Sequence, residues 1–285
     1  MTARNRSQVA MHLSCRRNVL FATIILAVAL HLYADDRAPL RPPKHGIYVV
    51  AHRGAHKDIP ENTLAAYKKA IELGCDFVEI DVRRTADGKL VSMHNAKVDA
   101  YTEDAQGFVK QFTLAQLKAL DIGSRVGPQW SNERIPTLEE ILEVCKGKIG
   151  VYLDLKEAPV EEVLACIGKW GMERDVWWYG APTALEEVQK KCGECVIMPD
   201  PGMPMFLPNV LKRFSPRVVA TSFDQTTAEL VAACHAAGAI VVMDDDGPES
   251  WEKAVAMGVD GIQTDHPAEL ISFLSERGKD ESQAR

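Results

Sequence analysis

The sequence predicts an α/β fold, a TIM (β/α)8 barrel with a small insertion after its second barrel strand. Three observations predict it. Apolar strand-like runs alternate with amphipathic helix patterns from residue 47 almost to the C-terminus, which argues for successive parallel βα units. Eight runs have strand character: Ile47 to Ala51, Phe77 to Val82, Gly150 to Leu155, Val176 to Tyr179, Cys195 to Met198, Val218 to Ser222, Ile240 to Met243 and Gly261 to Thr264. Setting aside a 34-residue leader from 285 residues leaves 251, close to the ~250 residues of one such barrel.

The leader is read from its charge pattern. Arg16 and Arg17 precede an apolar, acid-free run from Val19 to Ala34, and Asp35 and Asp36 follow it, which is the layout of a secretory signal peptide. The run carries His31 and falls short of the roughly twenty apolar residues that span a bilayer. Cleavage near Ala34 and export to the periplasm or beyond are therefore expected, with no stable membrane span afterwards. Residues 35–46, with Pro39, Pro42 and Pro43, read as a linker, residues 47–276 as the barrel and residues 277–285 as a polar tail.

The formal charge is −7, and the leader holds Arg4, Arg6, Arg16 and Arg17 with no acid, so the remainder stands at −7 − 4 = −11. Such a surface does not attract nucleic acid. An anionic small-molecule substrate needs local cations there, from a metal ion or from placed Arg and Lys side chains. Six cysteines remain after the leader, Cys75, Cys145, Cys166, Cys192, Cys195 and Cys234, and only Cys192 and Cys195 are spaced as a local pair. With no second C-x-x-C, a local disulfide or two plain thiols is expected rather than a zinc site.

Helix ends set the phase of the βα repeat. Gly74, Gly238 and Gly258 each close a helix pattern just before a strand, where glycine admits the left-handed cap. Thr137 with Glu140 and Thr226 with Glu229 read as capping boxes at helix starts. Leu90 to Met93 follows Val82 through Asp87-Gly88, a turn that suits a hairpin better than a crossover. That strand is expected antiparallel and outside the barrel count, so residues 83–136 form an excursion above the C-terminal rim, where TIM barrels place their chemistry.

Candidate chemistry clusters at strand ends. His52 and Arg53 follow the first strand. Glu79 and Asp81 lie two apart on the second, hence on one face. Two carboxylates facing a barrel interior repel and lose hydration unless a cation lies between them. Asp154 on the third barrel strand supplies another carboxylate, and such an oxygen-rich set favours Mg²⁺ or Ca²⁺ over zinc. Lys156, two residues on, reads either as a point charge for phosphate or as the partner of Asp154 in an ion pair near the barrel mouth. His94, just past the hairpin strand, can return over the mouth near His52, and two imidazoles suit the proton removal and delivery of phosphodiester hydrolysis.

The ordered series Ala51-His52-Arg53-Gly54, Pro60-Glu61-Asn62-Thr63, Glu79-Ile80-Asp81-Val82, His94, Ile135-Pro136-Thr137-Leu138-Glu139-Glu140, Asp154-Leu155-Lys156 and Gly258 to Pro267 resembles the glycerophosphodiester phosphodiesterase family. The resemblance covers nearly all of the chain after the leader. It implies a TIM barrel, a divalent metal held by Glu79, Asp81 and Asp154, and general acid/base work by His52 and His94. It further implies phosphate contacts from Arg53 and Lys156, Glu61 steadying Arg53 or approaching the metal, and Asn62 starting the following helix. The substrate implied is a glycerophosphodiester or a similar small phosphodiester, split into an alcohol and a phosphomonoester. A binding barrel that has lost catalysis and a lyase of the same fold, stopping at a cyclic phosphate, are the alternatives.

Departures from the family pattern bear on substrate choice. Asn95 follows His94 where Asp is usual, Tyr101 stands near a missing arginine, Asp154 replaces a more frequent Glu, and Met243-Asp244-Asp245-Asp246 replaces a Trp-containing segment. The lost tryptophan is expected to remove an apolar wall. The acidic run reads either as a solvated loop or as a binder of a cationic or polyhydroxylated headgroup. Tyr101 and Trp130 read as headgroup wall or as local packing. The sequence leaves the oligomeric state undetermined.

Overall fold

A computed structural model describes residues 38–283; the expected leader lies outside them. In chain order the strands are β1 (Tyr48–Ala51), β2 (Phe77–Arg84), β3 (Leu90–Ser92), β4 (Gly150–Glu157), β5 (Val176–Gly180), β6 (Val196–Ile197), β7 (Val218–Ser222), β8 (Ile240–Asp244) and β9 (Gly261–Thr264). All but β3 follow one parallel path, β6-β5-β4-β2-β1-β9-β8-β7. At the seam between β6 and β7 the N–H of Ala220 donates to the carbonyl of Pro199 at 3.1 Å, so the eight strands form a nearly closed barrel. Each of the eight predicted runs lies at one of these strands.

Helices α1 (Leu64–Leu73), α2 (Leu114–Ala119), α3 (Leu138–Cys145), α4 (Val160–Trp170), α5 (Pro182–Lys191), α6 (Leu207–Phe214), α7 (Ala228–Ala236), α8 (Trp251–Met257) and α9 (Pro267–Gln283) complete the fold. Strand alternation sorts the side chains. Val49, Ala51, Val78, Ile80, Val151, Leu153, Trp178, Val241, Met243 and Ile262 join α1, α3, α4 and α7 residues in one apolar cluster between sheet and helices. The intervening residues face the barrel interior. At its lower end Tyr48, Phe77 and Trp177 form an aromatic plug, with the Phe77 and Trp177 ring centroids 4.0 Å apart. Gly150 makes room for it, since a Cβ there would lie 2.3 Å from the Phe77 ring.

The strand starts are pinned by aspartates that follow helix-ending glycines. Asp76 accepts from the N–H of Val49 and Asp260 from that of Val241, at 2.9 and 2.8 Å. Gly74 and Gly258 end α1 and α8 in the left-handed conformation, at φ of 83° and 84°. Thr137 and Glu140 form the predicted capping box of α3. The second box does not form: Thr227 alone caps α7, accepting from the Leu230 N–H, while Thr226 Oγ1 donates to the carbonyl of Ser222 at 2.7 Å. A short 3₁₀ turn, Phe223–Gln225, intervenes after β7 and shifts the start.

Two predicted boundaries also move. Lys44, assigned to the linker, docks on the barrel through its N–H to Asp76 at 2.9 Å and its Nζ to the carbonyl of Cys75 at 2.7 Å. Helix α9 runs on to Gln283, so residues 277–283 extend a helix where a polar tail was expected. Cys192 and Cys195 form a disulfide, and Cys75, Cys145, Cys166 and Cys234 are buried thiols.

The excursion has its own apolar centre, with Val91, Met93, Val98, Tyr101, Leu117 and Ile135 among its buried residues. Strand β3 pairs antiparallel with β2, Val82 opposite Ser92 and Arg84 opposite Leu90. Arg83 ties the returning chain to the barrel. Its Nε donates to the carbonyl of Met93 at 2.9 Å, one terminal nitrogen to that of His94 at 2.5 Å, and the other to Glu157 at 2.9 Å. A planar fork serves three acceptors that an ammonium cannot span. Replacing Arg83 by Met is therefore expected to lower stability by about 2–4 kcal/mol, because two carbonyls lose their partner. Replacing it by Lys should restore less than half of that in denaturant unfolding. A midpoint unchanged in R83M would remove Arg83 from this role.

Candidate active site

The site is assembled by strand register. Ala51 pairs with Val78 on one side and with Thr264 on the other, so His52 and Arg53 emerge between Glu79 and Asp265. On the next interface Asp81 pairs with Asp154, which brings carboxylates of β2 and β4 to the same level. One oxygen each from Glu79, Asp81 and Asp154 all lie within 4.8 Å of one another. Asp81 is fully buried and Glu79 is 3% exposed.

These charges are partly offset by neighbours. Lys156 Nζ contacts the Asp154 carboxylate and lies 3.2 Å from Asp81 Oδ1. The Arg53 N–H donates to Glu79 Oε2 at 2.7 Å, and Asn62 Nδ2 to Asp81 Oδ2 at 2.7 Å. Burial, with Asp81 adding to it, still pushes the Glu79 carboxyl well above its ordinary range. Burial also raises Asp154, against the opposing pull of Lys156. Burial pulls the Lys156 ammonium down, but the Asp154 and Asp81 carboxylates outweigh it and its pKa is raised. Asp81 Oδ1 is buried and faces the Lys156 ammonium at 3.2 Å. Three convergent carboxylates, an all-oxygen set, fit a hard divalent cation.

The turn after β1 is strained to shape. Arg53 and Asn62 both lie at positive φ, 51° and 55°, and their backbones meet where the Asn62 N–H donates to the Arg53 carbonyl at 2.9 Å. Gly54 is required, because its φ is 85° and a Cβ would lie 2.7 Å from that of Ala66 on α1. Asn62 does not start the helix as expected. Thr63 caps α1, and the Asn62 side chain instead joins a buried network, accepting from Tyr67 and Ser92 at 2.8 and 2.7 Å while donating to Asp81. Glu61 takes the first of its two expected roles and pairs with Arg53 Nη1 at 3.3 Å.

His52 and His94 line the same cavity, of about 290 Å³, with Arg53, the three carboxylates and Lys156. His52 Nδ1–H donates to Asp265 Oδ1 at 2.7 Å, and His56 Nε2–H donates to the same oxygen at 2.9 Å. Burial works against a charged His52, yet the hydrogen bond to Asp265 and the nearby Glu79 charge prevail and hold its pKa at about 9. Burial dominates at His56, whose pKa is lowered. His94 Nδ1–H donates to Asn95 Oδ1 at 2.9 Å, which leaves Nε2 as the acceptor of the neutral ring.

The far side of the cavity holds residues whose site role was unassigned or left open by sequence reasoning. Tyr152, Tyr179, Asp200, Ser222, Asp244 and Gln263 line it. Asp244 is an alternate, inward position on β8, whereas Met243 packs outward against the helices. The acidic run divides: Asp244 lines the cavity, and Asp245 accepts from Trp251 Nε1 at 2.5 Å. Tyr101 is buried within the excursion, its hydroxyl donating to Glu61 at 3.0 Å and accepting from the Asn95 N–H. Trp130 Nε1 donates to the carbonyl of Asp58. Neither aromatic lines this cavity.

A model of the Glycerophosphoryl diester phosphodiesterase family matches residues 52–177. A glycerophosphodiester phosphodiesterase of Caldanaerobacter subterraneus is 35% identical over 247 residues, 81% of this chain and 98% of its own length. Among solved structures, a glycerophosphodiester phosphodiesterase from Agrobacterium tumefaciens superposes with a TM-score of 0.70 at 27% identity, covering 79% of this chain and 99% of that one. A phosphodiesterase from Oleispira antarctica, solved with the product sn-glycerol-3-phosphate, superposes at 0.72 with 27% identity, over 80% of this chain and 96% of that one. The chain belongs to the glycerophosphoryl diester phosphodiesterase family, a family of phosphoric diester hydrolases.

Proposed function

We propose that this enzyme hydrolyses glycerophosphodiesters, or a similar small phosphodiester, with a divalent metal held by Glu79, Asp81 and Asp154 and with His52 and His94 moving the protons. The observation that carries the reading is the convergence of three carboxylate oxygens within 4.8 Å beside two imidazoles in one cavity. Bound there, Mg²⁺ or Ca²⁺ would neutralise phosphoryl charge and acidify a hydroxyl. Lys156, now against Asp154 and Asp81, supplies fixed positive charge at the edge of that set. Arg53, whose Nε is buried without a hydrogen-bond partner, meets a phosphoryl oxygen while Glu61 and the αL turn hold its guanidinium in place.

His94 is the base in this reading. Asn95 fixes its tautomer without placing a negative charge beside it, so Nε2 accepts the proton of the attacking hydroxyl, whether that of the glycerol or of water. His52 is the acid. Asp265 accepts from its Nδ1 and favours the imidazolium, so Nε2–H is available to the departing alkoxide. Asp265 touches neither reacting oxygen and acts as a positioning residue. Export is proposed from the leader, and the Cys192–Cys195 disulfide supports an oxidising compartment.

Protein lacking residues 1–34, supplied with Mg²⁺ or Ca²⁺, is expected to release glycerol 3-phosphate or an analogous phosphomonoester from a phosphodiester panel, and EDTA should abolish the release. His52→Ala and His94→Ala should each lower kcat by at least ~10²-fold. Phosphorus NMR that stops at a cyclic phosphate would convert the reading to a lyase, and no EDTA-sensitive turnover would leave a binding barrel.

The pH dependence follows from the sign of the His52 shift. A general acid works while protonated, so kcat should fall as pH rises through about 9. Asp265→Asn withdraws the partner that raises this imidazole, and the alkaline limb should move to lower pH. A limb that stays in place, with kcat simply scaled down, would show that Asp265 does not tune His52.

A further inference from the structure

The strand order divides the cavity by chemistry. The phosphate-facing cations, Arg53 and Lys156, and the convergent carboxylates sit on or just after β1, β2 and β4. The other arc, from β5 round to β9, contributes Tyr179, Asp200, Ser222, Asp244 and Gln263 to the lining and no Lys or Arg. Its two carboxylates have neutral donors beside them. Asp200 accepts from the Gly202 N–H at 2.6 Å and from the Tyr179 hydroxyl at 3.3 Å. Asp244 accepts from Gln263 Nε2 at 3.1 Å.

Gln263 adds an independent observation. It is only 7% exposed, it lines the cavity, and its Oε1 has no hydrogen-bond partner. A buried carbonyl oxygen left unmet costs free energy until a donor reaches it. The arc therefore offers two carboxylates and a carbonyl, all acceptors, on a face that contributes no Lys or Arg of its own. Tyr152 and Tyr179, with ring centroids 5.8 Å apart, stand beside it. A volume of about 290 Å³ for the whole cavity is at the small end for ligand sites and suits a short alcohol.

We propose that this arc is a subsite for a primary-ammonium alcohol esterified to the phosphate, with Asp200, Asp244 and Gln263 Oε1 as its N–H acceptors. The proposal rests on the phosphodiesterase reading and names the substrate class it leaves open. A –NH₃⁺ group carries three donors and the opposite charge to the arc. A neutral polyol gains no ionic attraction from the carboxylates. A quaternary ammonium has no N–H and leaves the Gln263 carbonyl unmet.

The test compares kcat/KM for glycerophosphoethanolamine, glycerophosphocholine and glycerophosphoglycerol, with protein lacking residues 1–34 and with Asp200→Asn and Asp244→Asn. The ethanolamine diester should exceed the glycerol diester by at least ~10-fold, the equivalent of about 1.4 kcal/mol from one charge-assisted contact. That ratio should fall by at least ~10-fold in each variant. Comparable kcat/KM for all three diesters, preference for the choline or glycerol diester, or an unchanged ratio in both variants would overturn the proposal. Calorimetry separates the two readings. If no diester is turned over, the phosphodiesterase reading fails, and the subsite stands only if glycerophosphoethanolamine binds the parent protein at least ~10-fold more tightly than it binds D200N and D244N.

Discussion

The arrangement depends on one electrostatic constraint: carboxylates from neighbouring parallel strands are held together inside a barrel, where water cannot separate their charges. Asp81 and Asp154 are register partners, and Glu79 lies one inward position below Asp81. Burying such a group is unfavourable without cations or donors. The chain supplies Lys156, the Arg53 N–H and the Asn62 amide, and burial still raises the Glu79 and Asp154 carboxyls. Three carboxylates face one ammonium there, an excess of negative charge that suits a bound cation.

Much of the surrounding structure serves the same constraint. The turn holding Arg53 and Asn62 at positive φ exists because one residue must give its N–H to Glu79 while the other reaches Asp81 with its side chain. Gly54 lets that turn lie against α1. The excursion brings His94 over the mouth, and its position is set by Arg83 below and by the apolar cluster around Met93 and Tyr101. Tyr101 then links the excursion to the β1 turn through Glu61. Rigid placement of this kind is what the proposed acid, base and phosphate contact need to be held against one another.

The barrel also separates two tasks by angle around its axis. The candidate metal ligands with Arg53 and Lys156 lie on or just after β1, β2 and β4, and the acceptor-rich arc on β5 to β9 faces them across one cavity. Because side chains alternate along each strand, a departure from the family pattern matters only at inward positions. Asp244 faces the cavity and Met243 does not. The same acidic run can therefore change the lining at one residue and leave the next in the helix layer.

Local periodicity determined the strands, their parallel order, the hairpin at Asp87-Gly88 and the pairing of Glu79 with Asp81 on one face, because each follows from side-chain direction within a few residues. That the candidate carboxylates and histidines share one cavity was legible for the same reason: strand ends of a barrel open onto one rim. The partners were not. Asp265 lies 213 residues from His52, and only the β1–β9 register brings them together. Asn62 read as a helix start, and only the tertiary approach of β2 turned its amide toward Asp81. Tyr101, Arg83 and Gln263 likewise acquire their roles from packing between distant segments. Hydrogen bonds across such distances depend on barrel closure and shear, which no short window of sequence encodes.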